Sequence, residues 1–209
     1  MSGKGYRGFI LICILLAGIL VVSIVIYFFP FLFFSDDTLR NLSRVAFSEQ
    51  ELPVTLTIFG RSSDSINGRE DTISARIAFF TPDGESAGSV ERSWQGWELN
   101  IDCIMVSSGT GWLVFPYRVF TDKTALGQGT VLFDQYTSEG LPLLYTYPEL
   151  TRKERAILHE LFSIVKTEQW LPRFLGTLHH ETVSIRSFEA GKEYSFFVTK
   201  NGKLTLRRN

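Results

Sequence analysis

Glu98-Leu99-Asn100-Ile101-Asp102-Cys103-Ile104-Met105-Val106 decides the fold class. In an extended chain Leu99, Ile101, Cys103 and Met105 point one way, while Glu98, Asn100 and Asp102 point the other. That period of two predicts a strand with one face on a core and one on solvent. Cys103 falls in line with the core residues, so its thiol reads as a small buried hydrophobe.

The same period recurs on both sides. Val54, Leu56 and Ile58 alternate with Thr55, Thr57 and Phe59, and Ile73, Ala75, Ile77 and Phe79 share a face. Between these two strands the polar run Arg61 to Asp71 reads as a loop. Thr81-Pro82-Asp83-Gly84 predicts a tight turn, because proline presets the first turn angle and glycine accepts positive φ. Ala87 to Trp94 is then the returning strand of a hairpin. Downstream, strands are expected over Trp112 to Phe120, Val131 to Tyr136, Thr182 to Phe188, Glu193 to Lys200 and Lys203 to Arg207. Asn201-Gly202 joins the last two as a hairpin turn. Thr151-x-x-Glu154 is a capping box for a helix whose Ile157, Leu158, Leu161, Phe162 and Val165 form an apolar stripe. A second short helical or irregular stretch is expected over Trp170 to Leu178. The expected domain is mainly β (α+β), an antiparallel sandwich or open barrel with one packed amphipathic helix.

The first 35 residues differ from the rest. Gly8 to Ser35 holds no charged residue, and Phe9 to Tyr27 is almost wholly aliphatic. About 20 such residues span the roughly 30 Å hydrocarbon layer of a bilayer. The run is too long for a signal peptide and ends in Phe28-Phe29-Pro30-Phe31-Leu32-Phe33-Phe34, without a small-residue cleavage site. Lys4 and Arg7 precede it and Asp36-Asp37 follow, which predicts a cytoplasmic N-terminus. The expected organisation is a cytoplasmic tail (1–7), a transmembrane anchor (8–34), a juxtamembrane amphipathic helix (36–50) and an extracytoplasmic β-rich domain (52–209). Leu39, Leu42, Val45 and Ala46 share one face of that juxtamembrane helix, which is expected to lie on its own domain.

Composition narrows function by exclusion. All 22 acidic residues lie at or beyond Asp36, so the exported part carries a small net negative charge and gives no reason to expect nucleic-acid binding. The two cysteines cannot form a structural bridge, since Cys13 lies in the apolar run. His159, His179 and His180 lack the spacing of a zinc-binding helix, so neither a metal nor another cofactor is expected. Ser107-Ser108-Gly109-Thr110-Gly111 joins strand to strand and is no nucleophile elbow. Gly127-Gln128-Gly129-Thr130 precedes no helix N-terminus that could hold an anion. Aromatic recognition is the remaining signal: Trp94-Gln95-Gly96-Trp97 puts two indoles about a turn, and Arg207 belongs to a cationic terminal strand.

The expectation is therefore a single-pass protein of the inner or plasma membrane, serving as a non-catalytic interaction or assembly component of the cell envelope. Trp94, Trp97 and Arg207 mark the surface that meets a protein partner. A tethered lipid- or glycan-binding carrier is the alternative. A membrane-anchored hydrolase, using groups such as His159 and Glu181, ranks below both.

Overall fold

A computed structural model of the chain describes residues 12–23, 36–64, 69–125, 128–168 and 178–209. The chain divides into two units, Met1–Thr38 and Leu39–Asn209. In the first, residues 12–23 are helical (α1), with Ile12 to Val22 exposed and the Ser23 hydroxyl donating to the Ile19 carbonyl at 2.8 Å. No helix among the described residues is long and apolar enough to cross a membrane. The rest of the expected anchor, 8–11 and 24–34, lies outside the described residues.

The expected helix over 36–50 is not continuous. α2 covers Asp36–Arg40, a 3-10 turn covers Ser43–Val45, and strand begins at Gln50. Leu39, Leu42, Val45 and Phe47 are nonetheless buried. Their apolar side chains dock this segment onto the domain, and docking rather than helical propensity fixes its path. Arg44 completes the attachment by donating to Glu154 at 2.6 Å and to the Glu149 carbonyl at 2.7 Å.

The second unit is built on two antiparallel sheets. β1 (Gln50–Asp64), β2 (Arg69–Phe80), β3 (Ser86–Gln95), β4 (Leu99–Ser107), β5 (Trp112–Thr121), β6 (Thr130–Val131), β7 (Thr137–Ser138), β8 (Leu141–Pro142), β9 (His179–Ile185), β10 (Glu193–Val198) and β11 (Leu204–Arg208) follow one another, with α3 (Arg152–Glu168) between β8 and β9. The five-stranded sheet runs β11-β10-β1-β2-β3, and the four-stranded sheet runs β6-β5-β4-β9. Val54, Leu56, Ile58, Ile73, Ala75, Ile77 and Phe79 of the first sheet are fully buried, as are Leu99, Ile101 and Cys103 of the second.

Two readings are corrected in the loops. β1 and β2 continue through Arg61–Asp64 and from Arg69, so much of the polar run is strand. The expected strand over 131–136 is only the two residues of β6, followed by a 3-10 turn at Phe133–Gln135. Leu132, Phe133 and Tyr136 are all buried, so their apolar character reflects a core-covering turn and not alternation. The stretch expected over Trp170 to Leu178 lies, up to residue 177, outside the described residues.

β5 shows how this turn earns its burial. Beyond the short β6, the outer edge of β5 has no strand beside it among the described residues. Its main-chain groups are met instead by the Leu132 amide to the Tyr117 carbonyl, the Tyr136 hydroxyl to the Pro116 carbonyl, and Tyr145. The Tyr145 hydroxyl donates to the Val114 carbonyl at 2.7 Å and accepts the Val114 amide. At the far end Phe47 and Trp112 exchange two main-chain bonds of 2.8 Å. A buried strand edge must have its polar groups satisfied, and here tyrosine hydroxyls do part of it. α3 lays Leu158, Leu161, Phe162 and Val165 over this region, with Phe162 against Phe115 and Phe133 at ring distances of 5.6 and 5.3 Å. Its capping box is formed: the Glu154 amide donates to Thr151 Oγ1 at 3.2 Å, and Glu154 accepts the Thr151 amide at 2.8 Å.

Candidate interaction surface

The strands of β4 run between two differently built ends. The eight steps between its nine residues, at about 3.4 Å each, separate them by about 27 Å. At one end the chain joins the domain: Phe47 pairs with Trp112, and the Trp112 indole donates to the Lys200 carbonyl at 3.1 Å. Gly202 (φ +79) is required there, since a Cβ would come within 2.6 Å of the indole ring. This explains the Asn-Gly turn in contact terms as well as by its backbone preference.

The opposite end carries Trp97. Its indole is 49% exposed, whereas Trp94 is buried and donates from Nε1 to Thr130 Oγ1 at 2.9 Å. Of the two indoles around the turn, one is therefore a core residue and one a surface residue. Gly96 lies between them at φ +138, where a Cβ would stand 2.6 Å from Asp122 Oδ1. Asp122 fastens the turn by accepting the Trp97 amide at 2.6 Å and the Glu98 amide at 3.0 Å. Partial burial works to raise the Asp122 pKa, but the Glu98 and Trp97 amides outweigh it and hold the carboxyl below its ordinary value.

Arg61 gives the exposed indole its setting. The guanidinium lies 3.8 Å from the Trp97 ring centre and 5.1 Å from that of Phe188. It donates to the Trp97 carbonyl at 2.6 Å and to the Arg186 carbonyl at 3.1 Å. Trp97, Arg61 and Phe188 thus form a stack whose cation is fixed by main-chain acceptors. The sequence reading missed Arg61 because it was assigned to a loop, and no short motif marks it.

Arg207 is elsewhere. It lies on β11 and Trp94 on β3, the two opposite edges of the five-stranded sheet. Four strand spacings of about 4.8 Å set these edges about 19 Å apart. The Arg207 guanidinium lies 3.2 Å from the Phe197 ring centre. Trp94, Trp97 and Arg207 therefore do not make one patch: the first is core, the second is the tip, and the third is a sheet edge.

A second feature was not legible at all. Asn100 and Asp102, expected on a solvent face, are buried at 7% and 0% exposure. They belong to a polar ladder along the β4–β9 pairing: Arg186 to Glu98 at 2.7 Å, Ser184 to Asn100 at 2.5 Å, and Thr182 to Asp102. At its inner end Asp102 also accepts Arg118 at 2.6 Å and the Tyr117 hydroxyl at 3.1 Å. A bulge in β5 lets neighbouring Tyr117 and Arg118 reach one carboxylate, because Asp102 pairs with Arg118 and Cys103 with Pro116. Pro116 has no amide to give to a ladder, which suits it to this irregularity. Next to the cluster, burial pushes the Cys103 thiol well up, with Asp102 and Glu181 adding to the shift. The thiol is held neutral and unreactive.

The histidines do not converge. His159 lies against the Gly140 turn, His179 Nε2 is 3.8 Å from Glu181 Oε2, and the His180 ring meets Tyr117 edge-on at 5.8 Å. Among the described residues no hydrogen bond or ion pair joins His159 to Glu181, and no three His, Cys, Asp or Glu residues form a metal-holding group.

What is defined is a mainly β domain of two antiparallel sheets with few helices. No protein-family model matches the chain, and neither a curated protein nor a solved structure shows significant similarity to it.

Proposed function

We propose that this chain is a single-pass membrane protein whose β-rich domain, read as a layered sandwich, is a non-catalytic interaction component of the cell envelope. The exposed Trp97 indole, held against Arg61, is the observation that carries the reading. Tryptophan and arginine in a fixed setting are the residue types that most often dominate binding energy at protein interfaces. A large apolar ring left half in solvent, yet orientationally fixed, loses little further entropy on binding. The anchor rests on the uncharged run from Gly8 to Ser35 and its flanking charges, with the N-terminus cytoplasmic and the domain extracytoplasmic. Tethering would confine the domain near the membrane and so raise its local concentration at a partner held there.

The test is photocrosslinking in native membranes. Benzoylphenylalanine replaces Trp97 in one variant and Arg207 in another, and adducts are identified by mass spectrometry. One reproducible protein adduct from position 97 is the expected result. Lipid adducts alone, or none at either position, would remove the reading, and recovery of the chain in the carbonate-soluble fraction would remove the anchor.

A further inference from the structure

We infer that the groove between β9 and β11 binds an extended, acidic peptide segment by strand addition to β11. It rests on the preceding reading only in requiring a protein partner, and uses neither the Trp97 tip nor the anchor. β9 and β11 are the edge strands of the two different sheets. A groove of about 650 Å³ runs between them, lined by Val183, Ile185, Leu204 and Leu206 together with charged residues. That volume falls within the roughly 300–1,000 Å³ of ordinary ligand sites.

The main chain of β11 is set to accept a neighbour. The Thr199 amide bonds the Lys203 carbonyl at 2.9 Å, and the Asn209 amide bonds the Glu193 carbonyl at 3.1 Å. In an antiparallel pair, residues that exchange bonds alternate with residues whose polar groups point outward. Thr205 and Arg207 therefore bond to β10, while the amides and carbonyls of Leu204, Leu206 and Arg208 face the groove. Among the described residues no hydrogen bond joins β11 to β9.

Charge chooses the class of segment. Lys203, Arg186 and Arg208 line the groove against Glu181 alone. Lys203 is exposed and forms no ion pair among the described residues. Arg208 contacts Glu189 in an exposed pair that contributes little, and Arg186, though bonded to the part-buried Glu98, is itself exposed, so both cations remain within reach of a second carboxylate. Cations on an edge strand also deter chance pairing. Here, however, Arg207 is folded onto Phe197, and although Leu204 is buried, the outward main-chain groups of the half-buried Leu206 and the exposed Arg208 stay approachable. Strand addition of this kind takes affinity from the main chain and selectivity from side-chain charge.

The experiment is fluorescence anisotropy with the full chain in detergent micelles. Three labelled decapeptides serve as probes: one alternating aspartate with valine, one alternating lysine with valine, and the aspartate peptide N-methylated at alternate amides. The expected result is saturable binding of the aspartate peptide and at least tenfold weaker binding of the other two. Leu206→Pro deletes an outward amide that β10 does not use, and Lys203→Glu reverses one charge without altering main chain. Each is expected to weaken the aspartate peptide at least tenfold, with an unchanged circular dichroism spectrum checking the fold. Failure of the aspartate peptide to bind, or binding indifferent to N-methylation and to Lys203→Glu, would overturn the proposal. A dimer in sedimentation that Leu206→Pro converts to monomer would also overturn it, assigning the edge to a second copy of the chain. Since neither variant touches Trp97, loss of the groove leaves the crosslinking result at position 97 unaffected.

Discussion

The two sheets meet edge to edge on both sides of the domain, and the two sides are built differently. On the β3–β6 side Trp94 donates to Thr130, Arg92 reaches the same hydroxyl at 3.4 Å, and the Thr121 hydroxyl donates to the Gln95 carbonyl. That side is stitched across the sheets by side chains. On the β9–β11 side the polar groups are used differently: β9 is tied inward to β4 through Thr182 and Ser184, and β11 to β10 through main chain. Among the described residues no hydrogen bond crosses from β9 to β11, and the side chains that meet between them are the buried Val183, Ile185 and Leu204. One side is therefore joined across the sheets by polar side chains, and the other meets through apolar side chains with its hydrogen bonds kept within each sheet. Burying a ladder of polar pairs costs desolvation, which the hydrogen bonds within the ladder offset.

The largest expected loss of stability comes from the polar ladder that ties β9 to β4. Asp102→Ala leaves the Arg118 charge and the Tyr117 hydroxyl without their carboxylate in a site where the side chains of Asp102 and Arg118 are 1% and 15% exposed. Breaking one partner of such a pair is expected to cost about 3–5 kcal/mol, measured by urea unfolding of the full chain. A loss under about 1 kcal/mol would mean that the ladder does not hold β9 and that the contrast fails. Tyr145→Phe is expected to cost less, about 1–3 kcal/mol, because it strands the amide and carbonyl of Val114 at a buried strand edge. Faster hydrogen exchange at the Val114 amide would locate the effect.

The same contrast separates what could be read in the sequence from what could not. The Thr81–Gly84 turn closes with the Gly84 amide on the Thr81 carbonyl at 2.9 Å, and the capping box forms as spelled. Both are local, with all the interacting atoms within a few residues. The alternation in β4 identified a strand but misjudged its outer face, because a central strand covered on both sides has no solvent face to label. Asn100 and Asp102 look like surface residues until Ser184, Thr182 and Arg118 are brought beside them from distant positions in the chain. Tyr136 and Tyr145 could not be read as strand-edge partners for the same reason. Of the three residues marked for recognition, Trp97 alone combines exposure with a fixed setting, and its fixing residue Arg61 lies 36 positions away.

The stitched side gives a smaller effect. Thr130→Val keeps the shape of the side chain and removes the acceptor of the Trp94 indole, for an expected loss of about 1 kcal/mol. Its signature is local: exchange should quicken at the β3 amides while β9 is unaffected. Equal quickening at β9 would show that the two sides open together, and the distinction between them would be lost.

The smallest effect concerns pH and the tip. A carboxylate whose folded pKa lies below its unfolded value adds stability above the unfolded pKa and gives it up as pH falls through the folded one. Asp122 is of this kind, so its hold on the Trp97 and Glu98 amides is complete at neutral pH and is surrendered only below the ordinary carboxylate range, from roughly pH 4 downward. The difference in emission between the protein and its Trp97→Phe variant isolates the Trp97 signal from the other three indoles. That difference spectrum is expected to hold constant from neutral pH to about 4 and to shift red below it, as the turn loosens and the ring hydrates. Asp122→Asn, which keeps an acceptor without the charge, should show a partly red-shifted spectrum at every pH and no transition. A transition near pH 6 in the parent protein would instead point to a histidine, and Asp122 would no longer be what fixes the exposed indole.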